Sequence, residues 1–194
     1  MIDSSNQTHI LLLTGSPGIG KTTLLRKVAS QLLQYRLGGF YTEEIRQAGQ
    51  RQGFRLVTFQ GEEGIIAHVD FDHRYRVSKY GVDIATIDRF AESELALTDA
   101  VDVYLIDEIG KMECFSSTFV DKIEVLLNSN KPVIATVAIK GGDVIDKAKR
   151  WRGSELWELT HTNRDALVAQ LVDWLETRIC IAKQSNTEYQ HLSK

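Results

Sequence analysis

The sequence predicts an α/β fold in which a mostly parallel sheet lies between helices and is extended by an antiparallel hairpin or meander. Three observations carry that prediction. An apolar run over residues 9–14 stops at a glycine and opens into Gly15-Ser-Pro-Gly-Ile-Gly-Lys-Thr22, after which the pattern turns helical. A second apolar run, residues 103–106, ends in the acidic pair Asp107-Glu108. Between the two, three short segments rich in aromatic and β-branched residues are separated by glycine-bearing polar stretches, the rhythm of neighbouring antiparallel strands rather than of βα units.

The glycine-rich segment fits G-x-x-x-x-G-K-[ST], the P-loop pattern. Gly15, Ser16, Pro17, Gly18, Ile19 and Gly20 form a turn whose backbone N–H groups face inward around a phosphate, and the glycines leave room for the anion to approach. Lys21 is expected to reach the β- and γ-phosphate oxygens, and the Thr22 hydroxyl to ligate Mg²⁺. Thr23 completes the expected nucleotide-binding set of this segment. The helix that begins at Lys21 adds its positive dipole end.

A chain of 194 residues, 43% hydrophobic and 25% charged, is sized and composed for one domain with a sizeable core. We assign residues 1–182 to it. The net charge of −3 supplies no basic field, so neither nucleic acid nor an anionic membrane is indicated as a partner. Cys114 and Cys180 stand far apart, without C-x-x-C or Cys/His clustering, so neither a disulfide framework nor a zinc site is implied, and a reduced, cytoplasmic setting fits. No apolar run approaches membrane-spanning length, and residues 1–8 read as a frayed terminus.

After the P-loop, Leu24, Val28 and Leu32 recur beside Leu25, Ala29 and Leu33, two rows that predict a helix with one broad buried face, ended by Gly38-Gly39. Residues 40–45 and 54–59 read as a hairpin, and residues 65–69 as a third strand. Residues 71–81 offer no clean period and are expected to form a loop with one short strand. His68 and His73 lack a third ligand at a recognisable spacing and read as packing or surface residues. Asp83 is expected to cap a helix over residues 83–97 that buries Ile84, Ile87, Phe90 and Leu95.

The apolar strand at residues 103–106 delivers two carboxylates at its C-terminal end, the Walker B arrangement. In an open α/β sheet the ligand lies beyond the carboxyl ends of the parallel strands, so Asp107 and the P-loop can meet over one nucleotide from separate strands. Asp107 is the second expected Mg²⁺ residue, and Glu108 the residue expected to position or deprotonate the attacking water. Ile109 and Gly110 complete a D-x-x-G element, whose glycine N–H can touch a γ-phosphate. Strict guanine selection would also require N-K-x-D, and none is present: Asn130-Lys-Pro-Val lacks the aspartate and Thr162-Asn-Arg-Asp165 the lysine.

Phe119, Ile123 and Leu126/Leu127 predict another amphipathic helix, and Pro132 starts a strand at residues 133–137. Residues 140–152 are basic; Arg150 and Arg152 read first as a solvated face and second as a source of charge for the transition state. Residues 156–159 make a last strand. A capping-box-like Thr162-x-x-Asp165 then opens a helix bearing Leu167, Leu171, Leu175 and Ile179, with Trp174 as packing. Residues 183–194 are polar, without period, and expected to be disordered.

Four segments together carry a family resemblance over residues 9–175. They are Gly15-Ser-Pro-Gly-Ile-Gly-Lys-Thr-Thr-Leu24, then Gly39-Phe-Tyr-Thr-Glu-Glu-Ile-Arg46 with Gly49, Arg51 and Gly53-Phe54, then Asp107-Glu-Ile-Gly-Lys-Met-Glu113, and finally Asn163-Arg-Asp165. The chain resembles the small P-loop nucleoside-triphosphatases that include the cancer-related nucleoside-triphosphatase and the broad-specificity nucleotide phosphohydrolases of thermophiles. The resemblance implies a RecA/AAA-like core that hydrolyses several nucleoside triphosphates to diphosphate and phosphate with Mg²⁺ and little base preference. Arg46, Arg51, Lys111 and Asn163 fall inside these motifs as further candidate residues with open roles. The chain departs from the expected pattern at Cys114 and at Ala138-Ile139. Two other functions share the same cradle: a phosphotransferase acting on a small acceptor, and a nucleotide-dependent switch. The oligomeric state is open.

Overall fold

The computed structural model describes the backbone of residues 8–192 and the side chains of residues 8–184; the terminus expected to fray therefore lies, apart from Thr8, outside the described residues. Five parallel strands form the centre. They are β1 (Ile10–Thr14), β2 (Leu37–Gln47), β7 (Val103–Ile109), β8 (Val133–Val137) and β9 (Ser154–Glu158). The antiparallel strands β3 (Gln50–Thr58), β4 (Glu63–His68), β5 (Arg76–Val77) and β6 (Tyr80–Val82) extend the sheet beyond β2. The full order is β5-β6-β4-β3-β2-β7-β8-β1-β9. Because β8 lies between β1 and β7, the P-loop strand and the Walker B strand are not neighbours, and the gap between their ends opens over β8.

The middle strands β1, β7 and β8 are largely apolar because both faces are covered. Leu11 and Leu13 of β1 and Val103 and Leu105 of β7 pack with α1 (Lys21–Gln31) and α5 (Arg164–Leu192). The alternate residues, Ile10, Leu12, Tyr104 and Ile106, join Phe40 under α2 (Ile84–Glu94) and α3 (Ser117–Leu127). A short α4 (Asp143–Lys149) adds Ile145 and Ala148 to that second face. The α2 cap is as expected: the Asp83 carboxylate accepts from the Thr86 N–H at 3.2 Å. The helix ends earlier, at Leu95, and Ile84 is only half-buried.

Several boundaries differ from the sequence expectation. Gly38 and Gly39 do not end α1, which is closed at Leu32; they lie inside β2, where a Cβ on Gly39 would stand 2.1 Å from the Leu105 carbonyl oxygen. The glycines are there because β2 and β7 approach closely, a tertiary reason that mimics a helix stop. Residues 71–81 hold not one short strand but part of the β5–β6 hairpin. The last strand starts and ends earlier than residues 156–159. The polar segment at residues 183–194, expected to be disordered, begins as helix: α5 continues to Leu192, and the Lys183 ammonium reaches the Asp102 carboxylate at 3.1 Å. Among the described residues no helix is long and apolar enough to cross a membrane.

Candidate active site

β1 ends at Thr14 and the chain turns through the glycine-rich segment into α1, which starts at Lys21 behind Gly20 in a left-handed conformation (φ 105°). Glycine is required at that turn because an L side chain there is strained. Gly15 is constrained by space: a Cβ would stand 2.8 Å from the Leu159 carbonyl oxygen. The Lys21 ammonium crosses the loop to donate to the Gly15 carbonyl at 2.9 Å, which fixes the positive charge over the turn. Ser16, Pro17, Gly18 and Thr23 are exposed along the rim, whereas the Ile19 side chain is buried in the core with α1 and α5.

Asp107 is where the elements converge. Thr22 donates its hydroxyl to Asp107 Oδ2 at 2.6 Å, the Thr42 N–H donates to the same oxygen at 3.1 Å, and the Thr136 hydroxyl donates to Oδ1 at 3.2 Å. The Thr42 hydroxyl adds a bond to the Asp107 carbonyl at 3.2 Å. The carboxylate is thus gripped from α1, β2 and β8 while only 2% exposed. Burial pushes its carboxyl above the ordinary range, and the three hydrogen bonds and the Lys21 charge pull the other way.

A bulge aims Glu108. In the β7–β8 pairing Ile106 faces Ala135 and Ile109 faces Val137, so Asp107 and Glu108 together oppose Thr136 alone. Glu108 takes a left-handed backbone (φ 79°), rare for a non-glycine residue and found where a site over-determines it. Burial raises its carboxyl first and the Asp107 charge second, with Lys21 opposing. Ile109 is fully buried in the core under α2 and α3, so any ligand contact there falls to its backbone.

The remaining candidates separate. Arg46 donates to Glu44 at 2.8 Å and to the Gly49 carbonyl at 2.9 Å, and Arg51 pairs with the same Glu44, so both arginines are bound to each other's partner at the tip of the β2–β3 hairpin. Lys111 is exposed and lines a pocket of about 450 Å³ with Cys114, Phe115 and residues 142–145. Asn163 accepts from the Thr160 N–H and donates to the Glu158 carbonyl, both at 2.8 Å, closing the turn between β9 and α5. It, and not Thr162, holds the entry to that helix. Next to the P-loop, a cleft of about 360 Å³ is lined by Gly18, Ile19, Gly20, Thr23, Leu24, Lys27, Arg164 and Asp165. Arg150 and Arg152 lie at the opposite end of the sheet: Trp151 between them donates to the Leu127 carbonyl at 2.9 Å, and Ser154 pairs with Ile10 at the start of β1. They do not reach this chain's own P-loop.

Sequence reasoning missed Thr42, Thr136 and Glu113. Thr136 left a trace, as the one polar residue in the strand Val-Ile-Ala-Thr-Val; Thr42 and Glu113 stood inside motifs without a stated role. Glu113 begins the 3-10 turn Glu113–Phe115, and burial, then the Glu108 charge, push its carboxyl up to about 8.

Residues 10–172 match the model of a protein family described as NTPase. The chain belongs to this nucleoside-triphosphatase family. It is 43% identical over 164 residues to the nucleoside-triphosphatase THEP1 of Thermotoga petrophila, covering 84% of this chain and 90% of that protein. The THEP1 of Methanocaldococcus jannaschii is 39% identical over 168 residues, 84% of this chain and 95% of its own. In three dimensions the chain is similar to the crystal structure of THEP1 from Aquifex aeolicus (TM-score 0.74, 32% identity, 86% of this chain and 99% of that one). It is equally similar to the solution structure of a human cancer-related nucleoside triphosphatase (TM-score 0.73, 31% identity, 86% and 97%). The α/β architecture and the family resemblance expected from sequence both hold.

Proposed function

We propose that this nucleoside-triphosphatase hydrolyses ATP, GTP, CTP and UTP alike to the diphosphate and phosphate in a Mg²⁺-dependent reaction. The observation that carries the reading is the contact between the P-loop hydroxyl of Thr22 and the Asp107 carboxylate, with the bulged Glu108 directly after it. This supports a phosphate cradle, a hard-oxygen pair and a second carboxylate acting together on one triphosphate.

The donor set fits magnesium, which takes oxygen ligands and few of them from protein: the Thr22 hydroxyl and Asp107 would hold it, with Thr42 and Thr136 fixing the carboxylate. When bound, the ion neutralises charge developing on the β- and γ-phosphate oxygens. Lys21, released from the Gly15 carbonyl, pairs with the same phosphates, and the loop N–H groups and the α1 dipole hold them. Glu108 orients the attacking water and accepts its proton. Water's oxygen bonds to the γ-phosphorus as the bridging P–O bond breaks, leaving the nucleoside diphosphate and inorganic phosphate. The cleft beside the P-loop, lined by Thr23, Lys27, Arg164 and Asp165 among others, would receive the base, and the missing N-K-x-D supports loose base selection.

The test is phosphate release from the four triphosphates with and without Mg²⁺, no acceptor present. Metal-dependent release within about tenfold across the four bases is expected. Release from GTP alone, or none without an added acceptor, overturns it.

A further inference from the structure

Glu113 has no place in the mechanism above, yet it is 4% exposed and lies against the Gly110 loop that follows Glu108. A Cβ placed on Gly110 would meet Glu113 Oε2 at 2.8 Å and Glu108 Cγ and Cδ at 2.9 and 3.2 Å. The two side chains therefore converge on the space over Gly110 that a side chain at that position would fill. The turn that carries Glu113 is itself fixed. Its Cys114 N–H donates to the Gly110 carbonyl at 3.1 Å and its Ser116 N–H to the Glu113 carbonyl at 3.0 Å. Ser116 caps α3 by accepting from the Phe119 N–H at 2.8 Å, and its hydroxyl pairs with Asp88 on α2. The packing of α2 and α3 thus sets where the Glu113 carboxyl stands, and that carboxyl stands behind Glu108.

We propose that Glu113 is a positioning residue for hydrolysis: its buried carboxyl backs the Gly110 loop and holds Glu108 turned toward the γ-phosphate end of the P-loop. The inference rests on the phosphohydrolase reading above. A neutral acid suits the place, since a carboxylate would put a third negative charge beside Asp107 and Glu108 in a buried pocket. The titratable and charged groups around it are Asp107 and Glu108 on β7, Cys114 in its own turn and Asp88 on α2; Lys111, on the same loop, is exposed. Burial and the neighbouring Glu113 push the Cys114 thiol up to about 12, so it does not compensate. Loss of the Glu113 proton at alkaline pH repels Glu108 and shifts it off the water.

The test follows kcat and KM from pH 6 to 9.5 in wild type, Glu113→Ala and Glu113→Gln, with nucleotide affinity and thermal melts measured alongside. Glu113→Ala is expected to lose roughly 10–100-fold in kcat at little change in KM or nucleotide affinity. Glu113→Gln, which keeps the shape but cannot ionise, is expected to recover most of that loss at pH 7. It is also expected to lack the fall in kcat that is expected of wild type above about pH 8. A Glu113→Gln profile that keeps the wild-type alkaline fall, or a loss in either variant that appears in KM and affinity instead of kcat, overturns the proposal even if Glu113→Ala does not fold. Absence of hydrolysis by wild type at every pH would instead overturn the phosphohydrolase reading beneath it.

Discussion

Asp107 accepts three hydrogen bonds on its side chain, from residues on three different elements, and this divides the labour among the site's residues. Each threonine removes one orientation from the carboxylate, so its geometry is set before any ligand arrives. In the proposed reaction Lys21 and Glu108 do the differential work. Removing the Lys21 charge in Lys21→Ala should lower kcat/KM for ATP by roughly 10²-fold or more and weaken triphosphate binding; unchanged turnover would remove the P-loop from the chemistry. Glu108→Gln keeps the shape and loses the base, so Mg-nucleotide binding measured by calorimetry should persist while kcat falls about 10²-fold or more. An undiminished rate would exclude Glu108 from handling the water. Lys21, Thr22, Asp107 and Glu108 were legible in sequence because the chemistry fixes both residue type and local spacing. Thr42 and Thr136 were not, since each acts across strands whose adjacency no local pattern records.

The elements show the same division. Helices α1 and α3 and strands β1, β7 and β8 were readable because a covered strand is apolar on both faces and a packed helix repeats its apolar residues. The β2–β3 hairpin was readable in kind but not in extent: toward its tip, residues 46–47 and 50–53, it runs on through polar residues, with Arg46 and Arg51 paired to Glu44. Gly39 was misread because its reason lies on another strand. Gly39→Ala would push a methyl into the Leu105 carbonyl at a left-handed position (φ 97°), and a loss of about 3 kcal/mol in urea-melt stability is expected. A melt within 1 kcal/mol of wild type would show that β2 and β7 can separate there, a relaxation of the order other overpacked sites allow.

Over the whole molecule, the buried and the paired carboxylates give stability opposite dependences on pH. The folded-state pKa of Glu113, about 8, lies above its unfolded value, so the folded chain binds the extra proton. Its contribution is fully present below the unfolded pKa, roughly 4.3, and is lost as pH rises toward about 8. Asp102 and Glu155 run the other way. Burial raises both, but the Arg36 N–H and Lys183 outweigh it at Asp102, and hydrogen bonds from Thr8, Trp174 and Trp157 outweigh it at Glu155. Their lowered pKa values give stability that is present above the unfolded values and lost as the solution is acidified through the folded ones. Urea melts at pH 3 to 9 should therefore show a maximum on the mildly acidic side, with the alkaline slope reduced in Glu113→Gln. A Glu113→Gln slope equal to wild type would mean that Glu113 ionises normally.

The sequence by itself determined the α/β class, the phosphate cradle, the acidic pair and the family, because each is a run of neighbouring residues whose chemistry demands a fixed spacing. Tertiary structure alone decided that β8 separates the P-loop strand from the acidic strand and that a bulge opposite Thr136 turns Glu108. It also took Arg150 and Arg152 to the far end of the sheet and put Glu113 beside Glu108 at Gly110. Those depend on which strands lie side by side and which carboxyl is cut off from water, and distance along the chain carries neither.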